Sequence, residues 1–163
     1  MAPKKKTEMS VMECPVSEPP SLEILVKYHD KDLGKIEKIP VGDWIDLRSA
    51  ERVDMDPNQF RLISLGVSMK LPKGYEAHMV PRSSTFKKWG ILQTNGIGII
   101  DEAYCGENDV WKFPALAMRS TTIFKGDRIC QFRIMPKMPE LKFTEVDHMT
   151  DKDRGGIGST GKD

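Results

Sequence analysis

No apolar run in this sequence approaches the ~20 residues of a membrane helix, and no signal-peptide pattern opens it. A membrane-spanning or exported protein is therefore not expected, and the cytoplasm is the expected location. Cysteine is scarce. Cys14, Cys105 and Cys130 form an odd, scattered set without CxxC spacing, which excludes a disulfide framework and reads as reduced thiols. His29, His78 and His148 are isolated and offer no zinc-ligand spacing. An excess of one charge is missing too: 25 Lys and Arg face 24 Asp and Glu, a net charge of +1. A dedicated duplex-DNA binder would carry a basic surplus, so no nucleic-acid partner is expected. The Lys4-Lys5-Lys6 run sits in a polar lead-in over residues 1–20 that reads as disordered.

Helical periodicity is also lacking. No long stretch sustains a 3.6-residue repeat, and no internal repeat is evident. What is present is a succession of short apolar or alternating runs broken by Gly, Pro, Asn and Asp. They are Leu22–Lys27, Phe60–Ser64, Gly66–Met69, Glu76–Val80, Ile97–Ile100, Asp109–Phe113, Thr121–Phe124, Arg128–Met135 and Leu141–Val146. Such spacing predicts an all-β sandwich or barrel over residues 21–147. The single expected helix is brief: Ser83-Ser84 as cap, Thr85 to Trp89 as body, Gly90 as terminator. Residues 148–163 read as an arm leaving the domain.

Four segments carry candidate chemistry. Pro81-Arg82-Ser83-Ser84 sets a guanidinium and two hydroxyls at a helix start, which suits phosphate, although an ordinary serine cap explains the same residues. Asn95-Gly96 signals a hairpin turn, and Gly98 permits another group to approach the backbone closely. Asp101 ends an apolar strand, so its carboxylate lies at the rim between core and solvent. That position suits a base acting on water, and it also suits a plain Asp-initiated turn. Tyr104 could lay its ring against a sugar or complete the core. Asp46 stands alone among apolar neighbours, and Gln131 lies within a strand that follows the turn Lys125-Gly126-Asp127.

The tail is the densest feature. Arg154-Gly155-Gly156-Ile157-Gly158-Ser159-Thr160-Gly161 combines nest-forming glycines with directed donors, a composition suited to a phosphate chain, or else a flexible polar tail without a ligand. Gly156 to Lys162 has P-loop spacing. Asp163 stands where Ser or Thr should bind magnesium, however, and no strand and helix flank the segment, so that motif is excluded.

Taken in order, these segments resemble the five motifs of the homotrimeric all-β dUTP diphosphatase (dUTPase) family, spread from Asp43 to Gly161. The resemblance implies a distorted, jelly-roll-like β-barrel with one short helix, assembled as a homotrimer with exchanged C-terminal arms. It implies Mg2+-assisted hydrolysis of dUTP to dUMP and pyrophosphate, which limits uracil incorporation into DNA and supplies dUMP for thymidylate synthesis. Asp101 matches the carboxylate that activates the attacking water at the α-phosphorus. Asp46 matches the aspartate that holds the metal through water. Arg82, Ser83, Ser84 and Gln131 match phosphate contacts, as do Arg154, Gly158, Ser159 and Thr160 in the tail. Asn95, Gly98, Ile99 and Ile100 match the uracil slot, and Tyr104 the tyrosine that packs on deoxyribose.

The sequence departs from that pattern in places. Trp44 replaces a small residue two positions before Asp46. The tail is short, and Ile157 stands where an aromatic ring commonly stacks on uracil, a loss of ~1 kcal/mol of aromatic contact. Residues 107–125 look like an insertion, a possible docking site for a regulatory protein partner. Two alternatives share these residues. A dCTP deaminase of the same fold would need a carboxylate such as Glu107, and a nucleotide-switched binding protein would need no positioned base at all.

Overall fold

The structure, a computed structural model, describes residues 21–153. Short alternating runs become short antiparallel strands, because alternation buries one face of each. The chain runs β1 (Leu25–Tyr28), β2 (Ile45–Arg48), β3 (Val53–Met55), β4 (Phe60–Ser64), β5 (Val67–Lys70) and β6 (Tyr75–Pro81), then α1 (Thr85–Trp89). It continues through β7 (Ile91–Gln93), β8 (Gly98–Ile100), β9 (Lys112–Ala117), β10 (Thr121–Ile123) and β11 (Arg128–Pro136). The strands form a four-stranded sheet in the order β2-β11-β6-β8, a three-stranded sheet β4-β9-β7, and the pairs β1-β5 and β3-β10. The expected all-β architecture with one short helix is what forms.

The sheets close on one apolar core that includes Leu47, Ile63, Leu65, Met79, Phe113 and Phe132, none more than 2% exposed. Trp111 meets Phe132 edge-to-face at 5.3 Å between ring centroids, an arrangement worth about 1 kcal/mol beyond simple burial. Register sorts the residues of the long sheet. Phe132 lies between Ile45 and Met79 on the core side, whereas Gln131 lies between Asp46 and Val80 on the opposite face.

Four expectations need correction. Residues 107–125 are not an insertion: β9 is the central strand of its sheet, with Phe113, Ala115 and Ala117 fully buried, and β10 buries Ile123. The segment thus contributes a central strand and five buried side chains to the domain, while its other residues stay partly or fully exposed. Leu141–Val146 forms no strand, and its residues are exposed, Phe143 at 89%. Its alternation had no neighbouring strand to pair with. The Asn95-Gly96 turn is not a hairpin between paired strands, since β7 pairs with β9 while β8 pairs with β6. It carries the chain from one sheet to the other, with Gly96 at φ 66°.

The fourth correction concerns the helix start. Ser84 makes no side-chain cap. Instead the Thr85 hydroxyl accepts from the Arg82 backbone N–H at 3.0 Å and donates to the Ile129 carbonyl at 2.8 Å, tying the turn to β11. Both serines are thereby left out of capping. At the other end Gly90 adopts the left-handed conformation, φ 64°, and its N–H donates to Phe86 O. A Cβ there would lie 2.7 Å from Arg119 Cγ.

Candidate active site

Two clusters emerge on the long sheet. The first lies at its β2 side. Arg82, at the end of β6, donates from Nε to Asp46 Oδ1 at 2.6 Å. Arg128, at the start of β11, donates from Nη1 to Asp46 Oδ2 at 3.1 Å. Both carboxylate oxygens are therefore engaged by arginines, and the Asp46 and Arg82 side chains are only 22% and 21% exposed. Gln131 is directly opposite Asp46 in the register, and Ser83 and Ser84 follow Arg82 in the turn to α1. Trp44, the bulky residue before Asp46, sits under the Arg133 guanidinium at 5.6 Å.

The second cluster is a cavity of about 410 Å³ at the β8 side, whose wall includes Asn95, Gly98, Ile99, Ile100, Asp101 and Tyr104. All six were expected site residues. Asp101 follows β8 directly, and its Oδ1 accepts the Ala103 N–H at 2.8 Å and the Tyr104 N–H at 3.2 Å. Among the described residues nothing engages Oδ2, so one oxygen anchors the loop and the other is free to meet a ligand or water. Tyr104 OH donates to Val110 O at 3.4 Å, a long bond that leaves the ring 42% exposed at the cavity.

The loop carrying Tyr104 is pinned on both flanks. Glu102 takes Lys137 Nζ at 2.6 Å and the Gly74 N–H at 2.5 Å. The lysine first, and then the backbone donor, hold its carboxyl below the usual range. Glu107 takes Lys27 Nζ at 2.5 Å, and this pairing likewise lowers its pKa. Glu107 is 76% exposed and is absent from the cavity wall. It does not supply the carboxylate that a deaminase reading requires.

Several participants were not singled out from sequence. Arg128 on Asp46 is one. Gln93 is another: its Nε2 donates to Met79 O at 3.1 Å and to Asn95 Oδ1 at 2.9 Å. Leu62, Met79, Val110, Trp111, Lys112 and Pro114 complete the cavity wall. All but Pro114 fall in the apolar or alternating runs, which was the only hint of them. Gly98 does permit a close approach, and the approaching groups are Met79 Cε and Gln93 Nε2, 3.0 and 3.4 Å from where a Cβ would stand. Arg154, Ile157, Gly158, Ser159 and Thr160 lie outside the described residues.

Register fixes how far apart the clusters are. Asp46 is level with Val80 on β6, and Asp101 follows the β8 residue opposite Ala77. Three strand spacings and four residues along β6 amount to about 14 Å by about 13 Å, roughly 19 Å in all.

Comparison with known proteins gives a consistent answer. The dUTPase family profile matches residues 44–161. The SPbeta prophage-derived deoxyuridine 5'-triphosphate nucleotidohydrolase YosS of Bacillus subtilis is 58% identical over 140 residues, covering 86% of this chain and 99% of its own. Among solved structures, the Staphylococcus bacteriophage 80alpha dUTPase with dUPNHPP superposes with a TM-score of 0.70 at 23% identity, over 85% of this chain and 98% of its own. The dUTPase of phage phi11 of S. aureus, described with a structural Mg(II) ion, gives 0.65 at 21% identity, over 77% and 98%.

Proposed function

The chain belongs to the dUTPase family and hydrolyses dUTP to dUMP and pyrophosphate; we propose that it does so at sites assembled between subunits of a homotrimer. The observation carrying this reading is the separation of the two clusters. Phosphate-binding Arg82 and water-orienting Asp101 must act on one triphosphate, yet within one chain their clusters lie roughly 19 Å apart by strand geometry. A second copy that brings its cavity to the Asp46–Arg82 cluster resolves the conflict, and closed cyclic symmetry repeats the solution at every interface. The tail beyond Asp153 is the third contribution, Arg154, Gly158, Ser159 and Thr160 gripping the terminal phosphates and Ile157 covering the base.

In this reading uracil enters the cavity, read by Asn95 and by the backbone at Gly98, Ile99 and Ile100, with Tyr104 against the deoxyribose. Asp101 Oδ1 stays bound to the Ala103 and Tyr104 N–H groups. Its Oδ2 orients a water and takes its proton as the oxygen attacks the α-phosphorus, and pyrophosphate leaves with the bond's electrons. Arg82, Ser83, Ser84 and Gln131 supply preorganised donors to the charge that develops.

The donor set can be tested against a metal. Among the described residues no group of three or more His, Cys, Asp or Glu could hold one, and Asp46 is a single carboxylate with two arginines on it. This fits Mg2+ that arrives with the triphosphate and is held by Asp46 through water, since magnesium sheds its waters reluctantly. When bound, the ion neutralises phosphate charge.

The test is steady-state hydrolysis of each deoxynucleoside triphosphate with magnesium, for the wild type and Asp101→Asn. Turnover of dUTP to pyrophosphate is expected, reduced by about 10²–10⁴ in the variant while dUMP binding persists. Ammonia released from dCTP, or undiminished turnover in the variant, would sink the reading.

A further inference from the structure

We propose that Gln93 is a positioning residue that fixes which end of the Asn95 amide meets the base, and so selects a 4-oxo over a 4-amino pyrimidine. The inference rests on the dUTP reading above and extends it to a residue outside the uracil slot. Gln93 ends β7 and is half-buried. Its Nε2 stands 3.1 Å from the Met79 carbonyl oxygen and 2.9 Å from Asn95 Oδ1. A backbone carbonyl only accepts, so the Gln93 atom facing it must be the nitrogen; the flipped amide would set two oxygens against each other. Both hydrogens of Nε2 are then committed, one to Met79 and one to Asn95. The Asn95 atom that receives the second must be an acceptor, which is Oδ1.

One backbone carbonyl therefore orients two amides in series. What Asn95 has left for a ligand is its Nδ2 group with two donors, and Asn95 lines the cavity. A donor there complements the 4-carbonyl of uracil and opposes the 4-amino group of cytosine. The two bases share the 2-carbonyl, so discrimination by this group acts at the 4-position. A Cβ at position 98 would meet Met79 Cε at 3.0 Å and only touch Gln93 Nε2 at 3.4 Å. Gln93 Oε1 is buried without a partner among the described residues. An apolar side chain of similar length would avoid that penalty but could not hold Asn95.

The experiment compares the full-length wild type with Gln93→Met, similar in length without donors, and Gln93→Glu, which offers only acceptors. Folding is checked by circular dichroism. Steady-state kcat and KM are measured for dUTP and dCTP, with calorimetric binding of dUMP and dCMP as a readout independent of turnover. In Gln93→Met the KM for dUTP should rise about tenfold with little change in kcat, and the dUTP:dCTP ratio of kcat/KM should fall about tenfold, as expected when a fixed donor is lost. Gln93→Glu should narrow the ratio at least as far. A merely structural role would weaken both nucleotides together, and an unchanged ratio, or an unchanged dUMP:dCMP affinity ratio in either folded variant, overturns the proposal. A wild type inactive on dUTP would instead overturn the reaction itself.

Discussion

Arg82 Nε donates to Asp46 Oδ1 at 2.6 Å, although the two residues are 36 positions apart, Asp46 on β2 and Arg82 just past β6, with β11 between those strands. The bond holds the guanidinium at the rim of the sheet while its remaining N–H groups are available to phosphate. A second arginine, Arg128, takes the other oxygen, so Asp46 both orders the cations and limits their net charge.

Replacing Asp46 with Asn should therefore loosen Arg82 and remove the carboxylate proposed to meet hydrated magnesium. Loss of one charge-assisted bond in this half-buried setting should cost about 1–3 kcal/mol of stability, read as a lowered midpoint in urea. KM for dUTP should rise, and the magnesium concentration giving half-maximal rate should shift upward. Magnesium titrations that superimpose on the wild type would dissociate Asp46 from the metal.

Tyr104 presents a half-exposed ring at the cavity, its hydroxyl making one long bond, to Val110 O, among the described residues. Tyr104→Ala should open space for a 2'-hydroxyl, so the preference for dUTP over UTP should fall by about an order of magnitude or more. Competing hydrolysis of the two nucleotides in one reaction measures that preference directly. An unaltered preference would place sugar selection elsewhere.

A chain ending at Asp153 lacks Arg154, Ile157, Gly158, Ser159 and Thr160. It should lose only the Ile157 cover from dUMP binding, a modest fall in affinity, while kcat/KM for dUTP drops by at least about tenfold through loss of phosphate donors. Ile157→Phe in the full chain should act the opposite way, lowering KM by restoring ~1 kcal/mol of ring stacking. If Ile157→Phe leaves both kcat and KM unchanged, weak closure over the base is not a property of this tail.

Acid should release the Tyr104 loop. Glu102 and Glu107 both have folded-state pKa values lowered by their lysine partners. A lowered carboxyl pKa contributes stability that is fully present above the unfolded value, about 4.3, and is lost as pH falls through the folded value. Amide exchange in residues 101–110 should thus be insensitive to these two groups from pH 5 to 8, after correction for intrinsic exchange. It should accelerate below about pH 4 in the wild type, whereas in Lys27→Ala and Lys137→Ala, where the pair is already absent, exchange should be faster at neutral pH and the acid step smaller. Identical acid profiles in wild type and both variants would show that the ion pairs do not hold the loop.

Local chemistry was legible in the sequence. The short helix was readable over its full length, Thr85 to Trp89, because it is closed by a glycine able to take the left-handed conformation, although the expected serine cap does not form. Asp101 was readable because a carboxylate that ends an apolar strand is forced to the rim, whatever that strand pairs with. The six cavity residues lie within ten positions, so one turn and one strand bring them together. By contrast, Leu141–Val146 has the alternation of a strand and forms none, because alternation names a face and not a partner.

The sequence by itself determined the class of fold and the family, and named candidate residues for the chemistry, since these are written in types and spacings. Only the tertiary structure decided how those residues are distributed. Strand order β2-β11-β6-β8 joins Asp46 to Arg82 and Arg128, 36 and 82 positions away, and carries Asp101 to the other side of the same sheet. It also turned residues 107–125 from an apparent insertion into a central strand, and gave Gln93 its two acceptors. Pairing between distant strands depends on which edges remain unpaired once every other strand is placed. That is a property of the assembled sheet, and no local stretch of residues contains it.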